Sequence, residues 1–239
     1  MRLPSLWLLL VVATALTIRV GAGAASSEPV AQHTHYLPLV TTPWQGPNVL
    51  PNASFEGSWY HPGGINELQV PERWLFEWDE GVNPLDPDPW NVFVRPEVRV
   101  LPAEFLPPQE HELFIWDGRQ TLKIFKGWGA ISFRLLADVP LPPGIYVLEI
   151  SVFPDLVVDY VNGEKVWAPD PLSGEVRLMA GNGGTAWILP AFGRKNTFIH
   201  AFTISQPQMV RVGAAIRGRW AIRNNGWFMD DWRLYQVGN

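Results

Sequence analysis

Val210-Arg-Val-Gly-Ala-Ala-Ile-Arg217 sets Val210, Val212, Ala214 and Ile216 on one side of an extended chain, with Arg211 and Arg217 on the other. A period of two marks a strand with one face in a core and one in water. The same alternation recurs at Leu122 to Phe125, Ile131 to Leu136, Ile145 to Phe153, Thr197 to Ile204 and Trp227 to Val237. Turn formers separate these runs: Leu141-Pro-Pro-Gly144, Val161-Asn-Gly-Glu164 and Gly181-Asn-Gly-Gly184. No long amphipathic helical period is present, and 23 Pro and 21 Gly cut the chain into short pieces. The pattern predicts an all-β fold, a two-sheet antiparallel sandwich.

Composition narrows the function classes. A formal net charge of −5, with Lys and Arg scattered rather than striped, argues against a nucleic-acid partner, where basic clustering supplies most of the affinity. The chain has no Cys, so disulfides and a lipid-modified cysteine are excluded and stability rests on the core, with or without an ion. Of five His, His33 and His35 lie near the N-terminus and His61, His111 and His200 are isolated, which argues against a zinc hydrolase. No Ser has a G-x-S-x-G setting, and no phosphate-binding loop is present.

Residues 1–24 read as an export signal: Arg2, an apolar stretch from Leu6 to Ile18, and the small-residue run Ala22-Gly23-Ala24. Arg19 ends the apolar stretch short of the roughly 20 residues that span a bilayer, so cleavage is expected, with no membrane insertion afterwards. Residues 25–48 read as a linker and 49–239 as one domain, located outside the cell or at its surface. Within it, 58–118 is irregular and rich in Trp and Pro, including Asn83-Pro-Leu-Asp-Pro-Asp-Pro-Trp90. Long loops in compact domains are commonly functional, and this one is expected to wrap the sandwich as one wall of a cleft.

The two ends of the domain carry acids among apolar residues: Asn52-Ala-Ser-Phe-Glu-Gly57 and Phe228-Met-Asp-Asp-Trp-Arg-Leu234. If the first and last strands are neighbours, Glu56 converges with Asp230 or Asp231. Crowded carboxylates need a counter-charge. Either Arg and Lys supply it, or a hard cation such as Ca²⁺ does, held by Asn52 carbonyl oxygen, Glu56, Asp230 and Asp231. Strand alternation turns one of the two adjacent Asp inward and the other out.

These end motifs, with Leu141-Pro-Pro-Gly-Ile-Tyr146, resemble galactose-binding-like jelly-roll domains, in particular the carbohydrate-binding modules of xylanases and cellulases. The resemblance implies a jelly roll, a structural calcium between the terminal strands, and sugar binding. It covers Leu50 to Leu234 in outline, and its specific motifs are confined to the termini and the Pro-Gly-x-Tyr turn. Ala53 stands where the family often has Gly or Ser.

Sugar sites pair aromatic rings, which stack on C–H faces, with amides, carboxylates and guanidinium groups for the hydroxyls. Of 13 Trp, eleven fall in the domain. Most Trp in such a domain are core, and Trp74, Trp78, Trp227 and Trp232 sit in strand patterns. Trp90, Trp116, Trp128, Trp167 and Trp187 lie in turns or loops and are the stacking candidates. Arg95 and Glu97 either bind hydroxyls or form an ion pair. Arg217 and Asn224 are further polar candidates, although Arg223-Asn-Asn-Gly226 reads first as a turn. Among the acids, Asp155 and Asp159 share a face only if their strand is regular, and Phe153 to Asp159 looks like a strand end. Glu97, Glu104 and Glu110 complete the acids weighed, and no E-x-D-x-x-E strand motif is present.

The expectation is a secreted, non-catalytic protein that binds a polysaccharide or cell-wall glycan. An adhesion module for another surface protein and a polysaccharide hydrolase or lyase are the alternatives. A cleft with converging polar groups favours sugar, a flat aromatic patch favours protein, and two reachable carboxylates or a base beside Tyr at a cleft floor favours catalysis.

Overall fold

In a computed structural model that describes residues 44–238, Val210, Val212, Ala214 and Ile216 are all buried between two antiparallel sheets. In chain order the strands are β1 (Trp59–Tyr60), β2 (Val70–Pro71), β3 (Leu75–Trp78), β4 (Glu97–Pro102), β5 (Gln120–Gly129), β6 (Ser132–Leu141), β7 (Gly144–Val161), β8 (Glu164–Trp167), β9 (Glu175–Ala180), β10 (Gly183–Gly184), β11 (Asn196–Ile204), β12 (Gln208–Arg217), β13 (Ile222–Met229) and β14 (Arg233–Val237). A single α-helical turn, α1 (His111–Phe114), is found between β4 and β5. The smaller sheet has the order β10-β9-β12-β6-β3 and the larger β11-β7-β13-β5-β4, with β14 and β8 also paired to β7. A separate ribbon joins β1 and β2. This is the antiparallel jelly-roll sandwich that the sequence predicts. The expected export signal, 1–24, and residues 25–43 of the expected linker lie outside the described residues.

The core lies between the sheets, and the aromatic residues of the end motifs are central to it. Phe55, Trp74 and Trp232 have their ring centroids 5.3 to 5.6 Å apart in tilted and edge-on contacts. Each of the three is essentially unexposed. Buried indole N–H groups need acceptors. Trp74 donates to the Pro51 carbonyl at 2.9 Å and Trp232 to that of Ser151 at 2.9 Å. Trp227 is buried as expected, while Trp78 is only partly buried against the core.

Several local readings change. Residues 44–48 do not belong to a linker, because Gly46 N donates to Gln236 O, Val49 N to Leu234 O, and Gly238 N to Trp44 O. Asn48 bridges the same seam, donating to Trp232 O and accepting from Leu234 N at 2.9 Å each. The first segment therefore does lie beside the last strand. The single strand expected over Trp227 to Val237 is two strands, broken where Asp231 takes a φ of 53°. Arg223 to Gly226 is no turn but the first half of β13: Arg223 pairs with β5, and Asn225 and Gly226 pair with both β5 and β7.

β7 continues through Phe153 to Asp159 instead of ending there. Its first half pairs with β11 and β14, and its second with β13 and β8. The hairpin to β8 turns on Asn162 and Gly163 with φ of 53° and 85°. Two consecutive positive φ values match the twist of a tight hairpin, which explains the Asn-Gly choice. The expected insertion 58–118 is only partly irregular: β3 forms one edge of the smaller sheet and β4 one edge of the larger.

Candidate functional site

The outward residues of the larger sheet line up in rows fixed by register. One row runs Phe153, Phe228, Lys123, Arg99 across β7, β13, β5 and β4, and the next runs Asp155, Gly226, Phe125, Glu97. In-register neighbours share a face. The segment after β4 crosses one end of this face and places Phe114 flat on Phe228 with centroids 3.7 Å apart and edge-on to Phe153 at 4.9 Å. Leu106, Phe114, Phe153 and Phe228 form a second apolar cluster against which Trp116 and Trp167 pack.

Beside that cluster lies a groove of about 380 Å³ with Gly226 and Phe125 on its floor. Phe105 and Tyr160, 74% and 51% exposed, stand along it. Polar groups converge there. Lys165 Nζ is 2.9 Å from Asp155 Oδ1 and 3.7 Å from Glu110 Oε1. Lys123 Nζ lies 4.9 Å from the centroids of both Phe125 and Phe228, a cation–π arrangement. Burial pulls the Lys123 ammonium below the ordinary lysine range, with Asp155 pulling the other way. Asn224 completes the lining. The position tolerates its φ of 43°, since Asn adopts left-handed backbone more readily than most residues.

Other depressions accompany the groove, among them one of about 130 Å³ beside Val158, Asp159, Tyr160, Arg223 and Asn224. On the outer face of the smaller sheet, one of about 180 Å³ is lined by Trp187 and Arg217, with the guanidinium 3.9 Å from the indole centroid and 2.8 Å from Glu175 Oε2. Arg134 there is held between Asp79 and Glu77. A wider depression, about 670 Å³, lies at the rim near Arg211 and Asp138 and offers one aromatic ring, Phe202. Its Arg211 and Asp138 bond each other at 2.8 and 2.9 Å, so size alone does not make it the better site.

Of the stacking and polar candidates from sequence, Asn224 lines the larger sheet's groove and Trp116 and Trp167 support its base. Trp187 and Arg217 meet in the small depression. Trp90 and Trp128 are 89% and 63% exposed and line none of these depressions. Arg95 pairs with Glu67 at 3.1 Å, and Glu97 with Arg99 at 3.2 Å and Lys126 at 3.8 Å, so both act as ion-pair partners but not of each other. A bulge between Val157 and Asp159 takes Asp159 out of phase with Asp155. Lys123, Phe125, Phe105, Tyr160 and Lys165 were missed. The alternation in β5 carried the signal: Lys123 and Phe125 are out of phase with Leu122 and Ile124, and a Phe on the outward phase calls for a reason.

The four candidate metal ligands separate on inspection. Asp230 has no exposed surface and accepts from Trp116 N at 2.5 Å and Asp117 N at 2.9 Å through Oδ2, and from Asp231 N at 2.7 Å through Oδ1. Burial, with the Asp117 charge adding to it and those three N–H groups opposing, pushes its pKa to about 7. Asp231 turns outward and binds Arg233 at 2.9 and 3.2 Å. Glu56 Oε1 accepts from Arg119 N and Gln120 N at 2.9 Å each. Asn52 Oδ1 accepts from Gly57 N at 2.8 Å. Among the described residues no three His, Cys, Asp or Glu converge, so the four do not fit one coordination shell. What Glu56 and Asp230 do share is the loop 116–120, whose backbone N–H groups they hold from two sides.

Sheet order and register define the class as an all-β antiparallel jelly roll. No protein-family model matches the chain, and no curated protein does. Among solved structures, TmCBM61 in complex with β-1,4-galactotriose has a TM-score of 0.42 at 15% identity, covering 80% of this chain and 99% of that one. The CBM22-1 xylan-binding domain from Paenibacillus barcinonensis has a TM-score of 0.41 at 14% identity, covering 81% and 97%. The enzymatically active domain of tailspike protein 4 from bacteriophage CBA120 has 0.42 at 8% identity, covering 80% and 21%. These are likenesses of fold, and the class rests on the sheets themselves.

Proposed function

We propose that the chain binds a polysaccharide, without cleaving it, in the groove on the outer face of the larger sheet. One observation carries this reading: the groove sets the exposed rings of Phe105 and Tyr160 and the floor ring of Phe125 beside the converging groups of Lys123, Lys165, Asp155, Glu110 and Asn224. Rings accept C–H faces and the polar groups take hydroxyls, which a sugar presents alternately. The groove also contains two carboxylates, and Tyr160 faces Lys165 across the β7–β8 hairpin, as a hydrolase or lyase needs. Both carboxylates approach the same ammonium, Lys165, an arrangement that favours binding over proton transfer. Retention of the purified protein on a panel of polysaccharides, with product analysis of the same samples, tests the proposal. Phe125→Ala is expected to weaken retention about tenfold, roughly 1.4 kcal/mol. Release of oligosaccharides would establish catalysis instead.

Export of the chain, on the pattern of residues 1–24, would bring the groove to a cell-wall or extracellular glycan. Finding the intact 1–24 segment on protein recovered from cells would count against it. A second reading, docking to another surface protein, is favoured by Trp90 and Trp128, exposed away from the groove. Failure to retain any glycan would move weight to it.

Structural Ca²⁺ at the terminal seam is a separate proposal supported by Asp230 alone, a carboxylate without exposed surface that forms no ion pair among the described residues. Backbone carbonyls would have to supply most of its shell. Adding calcium to chelator-treated protein is expected to raise Tm by several degrees, and superimposable melting curves would remove the ion.

A further inference from the structure

The groove carries charge in an uneven arrangement. Lys165 receives both acids of the groove, Asp155 and Glu110. Lys123 forms no ion pair among the described residues, although it is half-buried and its ammonium sits against Phe125 and Phe228. Its in-register neighbour on β4 is another cation, Arg99, whose guanidinium is held 3.2 Å from Glu97 Oε2. Like charges directly opposite on one sheet face cost some tenths of a kcal/mol, and burying an ammonium that no carboxylate contacts costs more, although Asp155 and Glu110 act on it from a distance while both are bound to Lys165. No packing contact requires a charge at position 123, since an apolar side chain would serve between two Phe rings.

Resting on the glycan-binding reading above, we infer that Lys123 is the selectivity residue of the groove and that the ligand is an anionic sugar polymer, whose acidic substituent meets the ammonium while its ring lies on Phe125. A neutral hydroxyl would also satisfy the ammonium, but an anion adds the direct charge contact that Asp155 and Glu110, both bound to Lys165, do not make. Charge-assisted hydrogen bonds contribute about 1.5–3 kcal/mol against 0.5–1.5 for neutral ones. The acidic substituent is a carboxylate, as in a uronic acid, or a sulfate ester. The net charge of −5 does not oppose this strongly. Surface charges farther than about 8 Å are largely screened at physiological ionic strength, while the contact at Lys123 is local and partly shielded from water.

The test uses the full chain and three soluble probes at physiological ionic strength: polygalacturonate for carboxylate, sulfated galactan for sulfate, and neutral galactan. Titration calorimetry gives an affinity for each with the unmodified protein and with Lys123→Met, Lys123→Arg and Phe125→Ala. The expected result is that one anionic probe binds about tenfold or more tightly than neutral galactan, and the identity of that probe names the acidic group. Lys123→Met is expected to collapse this ratio towards one and Lys123→Arg to preserve it, while Phe125→Ala lowers every affinity and keeps the ratio. Circular dichroism of each variant confirms folding, and Lys123→Arg covers the case in which Lys123→Met does not fold. Equal affinity for neutral and anionic probes, or a ratio unmoved by Lys123→Met, would overturn the inference and leave glycan binding standing. If none of the probes binds and the wider polysaccharide panel is also blank, both readings fall together.

Discussion

Asp230 couples the terminal seam to pH. Its carboxyl has a pKa of about 7 in the folded chain, against an ordinary value of 3.8. Between those values the folded state holds the proton more tightly than the unfolded state, so the free energy of unfolding falls as pH rises through the window. The stability is fully present below about pH 4 and lost by about pH 7, with a magnitude on the order of a few kcal/mol. Chelator-treated protein should therefore unfold at lower denaturant concentration at about pH 8 than at about pH 5. Asp230→Asn cannot ionise and should flatten that slope, while losing some baseline stability because an NH₂ group replaces one of the two carboxylate oxygens that together accept from three N–H groups. A slope unchanged by the substitution would assign the pH response elsewhere.

At the level of elements, the β7–β8 hairpin and the break between β13 and β14 shape the groove and the seam. Gly163 has a φ of 85°, and a Cβ there would meet no atom within 4 Å. Gly163→Ala should accordingly cost about 1–2 kcal/mol from backbone strain alone, read as a shift in the denaturation midpoint, with little change in the slope. The sheet strands were legible because their apolar phase repeats in the chain, and the Asn-Gly turn because its conformation demands those residues. The groove was not legible from its Trp content. A Trp in a loop is exposed or buried according to what folds over it, so Trp90 emerged into water while Trp116 was partly covered. Phe125 and Lys123 were passed over since outward positions on a strand read as solvent-facing until another segment, here 103–116, is known to wall them in. The break at Asp231 escaped because Asp230 looks polar in sequence but takes three backbone donors that come from a distant loop and from its own neighbour.

For the whole molecule, the end motifs work as packing and anchoring units more than as a ligand shell. Phe55 and Trp232 meet Trp74 at the core, while Glu56 and Asp230 reach out to the loop 116–120. Residues 44–49 add backbone pairing to the seam, which moves the start of the domain ahead of 49. A chain beginning at Trp44 should match the longer protein in denaturation midpoint. One beginning at Leu50 loses the hydrogen bonds of Trp44, Gly46, Asn48 and Val49, and should be weaker by a few kcal/mol at roughly 0.5–1.5 per bond. Equal midpoints for the two would return 44–49 to the linker. That seam has another consequence. Gly238 N lies 3.0 Å from Trp44 O, so the described chain starts and stops at the same point on the surface. Proteins with adjoining ends tolerate circular permutation, and exposed hairpin tips are the favoured places to open them. Joining the two ends by a short linker and cutting between Asn162 and Gly163 would reorder the gene while leaving every strand of both sheets whole, and would put the new termini beside the groove.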